Sequence, residues 1–471
     1  MSMKLPSVDS VTTINRDGSR YFLHPSDVTG RFTFLRKAFA ITLLAIYVLL
    51  PWIKINGFPA VFLDVADRRL HLFGFTFAPQ DFWLGFFVIS GVGFSLFYIT
   101  ALFGRLWCGW ACPFTVFLEN VYRRIERLVD GDAHARRALD AAPPSSEKTA
   151  KRVIKHTLFL LASTLIAHIF LSYFVSIPRL WDMMLTRPTE NLVTFGVVVF
   201  LTLVLYGAFS WFREQFCIIL CPYGRIQSAL TDDNTMVIGY DAKRGEPRGK
   251  ANTPGVGDCI NCLRCVQVCP TGIDIRNGLQ LECVGCAACV DACDAVMAKL
   301  HRPKGLVRYA SMNELGGKKT RWIRPRIIAY TILLAIGATV MSVSLTRLKP
   351  FQLTFARMPG LPYYLGEGHS SVRNQFQVRL FNKQMHPLAF TLELVGAPEG
   401  TKLSGPEANL TLAPQEERIV AAMIEVPRSA YHGKQNMTLR ITSQPDHGVM
   451  DKRFEFVGPD PKLLDPTTPQ Q

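Results

Sequence analysis

Residues 259–270 read Cys259-Ile-Asn-Cys262-Leu-Arg-Cys265-Val-Gln-Val-Cys269-Pro270, and residues 283–293 read Cys283-Val-Gly-Cys286-Ala-Ala-Cys289-Val-Asp-Ala-Cys293. Both runs space their cysteines by two, two and three residues, the bacterial ferredoxin pattern. Three closely spaced thiolates wrap three irons of a cubane, and the fourth cysteine of each run reaches across to the other cluster. The spacing therefore assigns Cys259, Cys262, Cys265 and Cys293 to one [4Fe–4S] cluster, and Cys283, Cys286, Cys289 and Cys269 to a second. Zinc ribbons are the competing reading, but they pair two short knuckles across a longer gap and do not use two complete four-cysteine runs. Asp294 stands where a second Pro is expected, a change that alters a turn but removes no ligand. Asp258, Asp274, Asp291 and Glu282 read as solvated surface beside the runs.

The chain around this module is not that of a soluble enzyme. Of its 471 residues 49% are hydrophobic and only 19% charged. Five stretches contain no Asp, Glu, Lys or Arg: 38–53, 82–104, 156–178, 191–212 and 327–346. About 20 apolar residues cross a bilayer as a helix. The first stretch is short, and extends only if Arg36 and Lys37 snorkel to the headgroups. Segments 1–37, 105–155 and 213–326 hold 33 of the 52 Lys and Arg, while the loops 54–81 and 179–190 hold five. By the positive-inside rule the N-terminus and the cysteine runs face the cytoplasm, and the tail after the fifth span faces the periplasm. The net charge of +15 is then a topology signal and gives no reason to expect nucleic acid as a partner. Residues 1–33 lack the apolar core and small-residue site of a cleavable signal peptide. All twelve cysteines fall at or beyond the inner ends of spans, which suits metal-ligating thiols in a reducing compartment.

The other four cysteines form two matching elements. Trp107-Cys108-Gly-Trp-Ala-Cys112-Pro113 follows the second span, and Phe216-Cys217-Ile-Ile-Leu-Cys221-Pro222 follows the fourth. Positions i and i+4 share a helix face, so each pair can chelate a soft ion such as Cu(I), and the Pro stops or kinks the helix. The bland alternative is packing, since Cys is often buried and Pro often follows helix ends; the repeat at equivalent positions favours a site. His156 lies at the inner end of the third span and is an auxiliary ligand candidate; His168 lies near mid-membrane. The two are too far apart along one helix to share an iron.

Residues 131–150 read as a polar linker. From Phe351 onward, alternating stretches at 376–381, 389–394, 408–412, 418–426 and 437–442 suggest a small β-sandwich. The expected fold class is a multi-domain membrane protein: an N-terminal segment 1–37, a four-helix region 38–230, a two-cluster ferredoxin domain 231–326, a fifth span 327–346, and a β-sandwich at 350–458, with the end 459–471 frayed. No Walker A motif, dinucleotide fingerprint or nucleophile constellation is present, so electrons must come from another protein or a lipid-soluble donor.

Several strings resemble the CcoG/FixG/RdxA family: Cys217-Ile-Ile-Leu-Cys-Pro-Tyr-Gly-Arg-Ile-Gln-Ser-Ala-Leu; Tyr240-Asp with Arg244-Gly-Glu-Pro-Arg-Gly; Pro270-Thr-Gly-Ile-Asp-Ile-Arg-Asn-Gly-Leu-Gln; His24-Pro-Ser-Asp-Val-Thr-Gly-Arg-Phe; and Gly104-Arg-Leu-Trp-Cys-Gly-Trp-Ala-Cys-Pro. These are accessory proteins for cbb3-type cytochrome c oxidase in the bacterial inner membrane. The resemblance spans nearly the whole chain. It implies an immunoglobulin-like C-terminal domain, and copper-handling proteins or oxidase subunits as partners. It also implies reduction of Cu(II) to Cu(I), with Cys108, Cys112, Cys217 and Cys221 as the copper-facing residues. One departure is Phe114-Thr-Val-Phe-Leu-Glu-Asn, where Gln and a second Thr are expected. Two other functions compete: a quinol-linked, NapH-like membrane ferredoxin, and a non-catalytic assembly scaffold.

Overall fold

The computed structural model describes residues 13, 21–251, 253–405 and 410–461. Most of segment 1–37, the start of the expected strand 408–412, and the C-terminal end from 462 lie outside these residues. Among the described residues, five helices are long and apolar enough to cross a membrane: Arg31–Leu49, Trp83–Phe103, Ser146–Leu171, Leu192–Phe212 and Pro325–Thr346.

Three of these match the uncharged stretches closely; the first and third do not. The first helix begins at Arg31, not 38, and stops at Leu49, just before Pro51. Its start is set by a carboxylate from the cluster module. Asp291 accepts from Phe32 N (3.2 Å), Thr33 N (2.7 Å) and Thr33 Oγ1 (2.7 Å), satisfying donors that the first helical turn leaves open. Asp291 is thus a buried helix cap and not surface. The third helix starts ten residues before the uncharged stretch, because its first turns carry Glu147, Lys148, Lys151 and Arg152. Ser145 caps it by accepting from Lys148 N. Charge locates the bilayer portion of a helix but not its polar extension. For the same reason the expected linker 131–150 is partly helical, with Ala133–Ala141 capped by Asp132.

The chain divides into two compact units. In the larger, the cysteine runs form a buried core with Ile238, Val266, Val290, Met297 and Leu306. The antiparallel pair Val237–Tyr240 and Val307–Ala310 frames it. In the smaller, a five-stranded and a four-stranded antiparallel sheet make a sandwich, the short strand Tyr364–Leu365 pairing with Ser371–Asn382 beside the main path of the first. One runs Lys402–Ser404, Glu417–Pro427, Ser371–Asn382, Phe351–Arg357, and the other Leu410–Leu412, Leu388–Val395, Gln435–Gln444, Val449–Phe456. Phe351, Val378, Leu380, Phe390, Leu439 and Ile441 fill the space between. Phe351–Arg357 and Val449–Phe456 were not among the expected strands. The second is an edge strand whose run of Asp451, Lys452 and Arg453 masks the alternation.

Candidate iron–sulfur and thiol site

The two cysteine runs fold into the same loop twice. Asn261 and Leu263 flank Cys262 with φ of 56° and 59°; Gly285 and Ala287 flank Cys286 with φ of 67° and 59°. Left-handed backbone at Leu and Ala is costly and persists only where the surroundings impose it. Here it curls each loop so that short helices start directly after it, at Arg264–Gln267 and Ala288–Lys299, with Cys265 and Cys289 in their first turns. Cys293 lies within the second helix, which continues to Lys299. A Pro at 294 would break that helix, whereas Asp294 instead accepts from Gly305 N at 2.8 Å. Pro270 follows a helix that has already ended.

The eight sulfurs fall into two neighbourhoods. Cys265 feels Cys293 and Cys262, and Cys293 feels Cys259 and Cys262; these four line one cavity. Cys269, Cys283, Cys286 and Cys289 interact among themselves, and Cys289 also feels Cys265 of the first group. Burial pushes the thiols of Cys265, Cys283 and Cys293 up to about 12, so metal-free sulfur here keeps its proton at neutral pH. Asp274 pairs with Arg276 at 2.6 Å, and Arg276 reaches Asn261 Oδ1 at 2.6 Å, bracing the first loop. Arg36, from the first membrane helix, lies near enough to Cys286 to interact with it electrostatically.

The two Cys-x3-Cys-Pro elements are also one structure repeated. The two cysteines of each do not share a continuous helix. Cys108 and Cys217 occupy short helical turns, Leu106–Trp110 and Phe216–Leu220, while Cys112 and Cys221 are the residues before new helices. Pro113 and Pro222 take the first position of those helices, where a missing N–H costs nothing. Phe114 stacks on Phe216 with ring centroids 4.3 Å apart, joining the elements. Arg105 donates to Gly224 O across the same junction. Cys217 feels Cys112, Cys108 and Cys221, so all four thiols are neighbours. Burial raises Cys108 to about 11 and Cys217 to about 12.

Contact with the cluster loop is backbone to backbone. A Cβ at Gly109 would lie 2.6 Å from Val284 O and 2.9 Å from Cys286 N. The turn carrying Cys108 therefore rests against the loop carrying Cys286. Trp110 Nε1 donates to Tyr309 Oη (3.2 Å), which donates to Gly285 O (2.6 Å). Gln227, buried on the helix after Cys221, donates to Cys108 Sγ at 3.6 Å. Arg105 and Gln227 lie inside strings quoted above and Arg36 is expected at the headgroups, but nothing in the sequence marks any of the three as a neighbour of sulfur. Only packing makes them neighbours of sulfur.

His156 is not gathered into this group. Its Nδ1 bonds Tyr206 Oη at 2.9 Å, and His168 bonds the carbonyl of Thr164 one turn back. Among the described residues, no three His, Cys, Asp or Glu side chains are arranged to hold a single metal ion. A cubane spreads its four cysteines around a multi-iron body, so its cradle differs from a single-ion site. The membrane-edge thiols are neighbours without being closed around one ion.

Residues 212–312 match a family profile described as a 4Fe-4S dicluster domain, residues 84–130 a 4Fe-4S binding domain, and residues 341–459 the IG-like fold at the C-terminus of FixG. The nitrogen fixation protein FixG of Rhizobium meliloti is 33% identical, with 93% of each chain covered. The chain belongs to the FixG/RdxA family. Protein RdxA of Cereibacter sphaeroides is 36% identical over 80% of this chain and 82% of its own, and RdxB of the same organism 35% over 83% and 86%. A crystal structure of a FixG-related protein from Vibrio parahaemolyticus aligns over 23% of this chain and 97% of its own, at 12% identity and a TM-score of 0.21. Membership of the family, the cluster domains and the five apolar helices make this a membrane iron–sulfur redox protein.

Proposed function

We propose that this protein carries single electrons to a copper ion at the membrane edge, reducing Cu(II) to Cu(I) for assembly of a cbb3-type cytochrome c oxidase. Cys259, Cys262, Cys265 and Cys293 would hold one [4Fe–4S] cluster, and Cys269, Cys283, Cys286 and Cys289 the other. When bound, such clusters supply one-electron chemistry. Cu(II) is the substrate: it takes one electron and leaves as Cu(I), whose preference for soft thiolate ligands suits Cys108, Cys112, Cys217 and Cys221. A loosely gathered quartet fits cargo that must depart, where a closed site would retain it.

The observation that carries this reading is the seating of Gly109 on Val284 and Cys286, which leaves no layer of side chains between the Cys108 turn and the cluster loop. The chain's own residues do the positioning. Phe114 on Phe216 holds the two thiol elements together, Arg105 ties the first element to Gly224, and Gln227 orients Cys108. The distribution of basic residues supports a cytoplasmic face for the clusters and a periplasmic face for the sandwich, in a bacterial inner membrane. The partners are a separate electron donor and a copper-handling protein or oxidase subunit that accepts Cu(I).

The test is Cu(II) reduction by anaerobic, cluster-loaded protein, followed with a Cu(I)-specific chelator. Replacing Cys108, Cys112, Cys217 and Cys221 with Ser abolishes the protein-dependent rate while the cluster absorbance remains. Unchanged rates in the fourfold variant would remove the proposal.

A further inference from the structure

A second polar site lies beside the second cysteine run, where the first membrane helix begins. A cavity of about 90 Å³ is walled by Arg36, Lys37, Arg123, Arg124, Arg127 and Arg136. Among the described residues that line it, two are carboxylates, Asp27 and Glu119. Three of the cations have acidic partners. Arg127 pairs with Asp27, Arg123 with Glu119 and Glu214, and Arg136 with Glu126 at 3.5 Å. Arg36, Lys37 and Arg124 have no carboxylate within ion-pairing distance among the described residues. Arg36 lies near enough to Cys286 to interact with it electrostatically, yet its Nη1 is buried with no hydrogen-bond partner.

A buried guanidinium donor without an acceptor is expensive, and cations inside the start of a membrane helix are more so. An anion in the cavity removes both costs. Arginine forks match the oxygens of a tetrahedral oxyanion, and the volume is large enough for one such group. Headgroup depth, at the first turns of a spanning helix, is where a phosphodiester would present itself.

We infer that this cavity binds a phosphate group, presented by an anionic phospholipid or as free phosphate, through Arg36, Lys37 and Arg124. The occupant sits one guanidinium away from Cys286 and so links the lipid or anion environment to the cluster module. The inference goes beyond the copper reading and does not rest on it. The fourfold Ser variant of Cys108, Cys112, Cys217 and Cys221, expected to stop copper reduction, should leave anion binding intact.

The experiment uses full-length, cluster-loaded protein in nanodiscs of phosphatidylcholine with or without phosphatidylglycerol. Native mass spectrometry then counts retained phosphatidylglycerol. In parallel, detergent-solubilised protein is melted with inorganic phosphate against sodium chloride at matched ionic strength. Retention of phosphatidylglycerol by the wild type, weakened about tenfold in Arg36→Gln, identifies a lipid site. A phosphate-dependent rise in Tm lost in the variant, without lipid retention, identifies a free-anion site. Neither effect in the wild type, or equal effects in wild type and variants, overturns the inference and leaves Arg36 serving Cys286 alone. Lys37→Gln and Arg124→Gln, whose side chains have no bond to Cys286, give the same readout if Arg36→Gln fails to load clusters.

Discussion

The cluster loops and the membrane-edge thiol elements each repeat one cysteine motif twice, but they hold sulfur in opposite ways. In the loops, left-handed residues at 261, 263, 285 and 287 lock the backbone, and the sulfurs sit in a core with buried Val, Ile and Met. In the elements, a helix is interrupted between the two cysteines, and the four thiols meet through side-chain contacts: Phe114 on Phe216, Arg105 to Gly224 O and Gln227 to Cys108. Rigid backbone suits a resident cofactor, and side-chain packing alone suits an ion in transit. The difference implies distinct responses to mutation.

The largest effect is expected in the loops. Cys289→Ser should cost a cluster outright and destabilise the surrounding core, because structural metal contributes folding free energy. Iron and sulfide analysis of the purified variant reads this directly, and full cluster content would break the distinction drawn above. Next is the seam between the two regions. Gly109→Ala forces a methyl group onto Val284 O, and overpacking of this kind costs about 1–3 kcal/mol. The protein should retain both clusters by EPR but reduce Cu(II) more slowly. A variant as fast as wild type would mean that electrons do not cross here.

Proton release sharpens the contrast. Burial holds the Cys108 thiol at about 11 and the Cys217 thiol at about 12, so both are protonated at neutral pH. An ion bound by thiolate displaces those protons, and affinity should rise about tenfold per pH unit for each proton lost. Calorimetric titration in buffers of different ionisation enthalpy counts them; zero would exclude thiolate ligation. Stability of the metal-free chain runs the other way. A thiol raised in the fold keeps its proton where the unfolded chain has lost it, so stability is full below the ordinary thiol range near 9 and falls as pH climbs from there toward 12. The smallest effect belongs to Gln227→Leu, which removes one hydrogen bond to Cys108 worth about 1 kcal/mol. A severalfold change in copper affinity with unaltered cluster spectra is expected. No change would reduce Gln227 to packing.

How legible each part was follows from the range of the forces that shape it. Cluster ligands are read from spacing because a cubane constrains residues two and three apart, and the fold gathers the eight sulfurs into two neighbourhoods. Membrane helices are read from runs without charge, yet their ends at Arg31 and Ser146 depend on caps, one of them Asp291 from 260 residues away in the chain. That carboxylate looked like surface because nothing local marks a residue that caps another element. His156 looked like a ligand because it shares a membrane level with the cysteines, while rotation about the helix axis turns it to Tyr206.

Chain order alone therefore determined the chemistry, which is twelve thiols in four short motifs on an apolar chain with its basic residues concentrated in alternate loops. Local spacing and the bilayer impose those patterns one segment at a time. Tertiary structure decided which motifs touch: Gly109 against Val284, Gln227 against Cys108, and Arg36 between Cys286 and an anion-sized cavity. Contacts of that kind depend on how helices distant in sequence pack, and no periodicity in the chain encodes them.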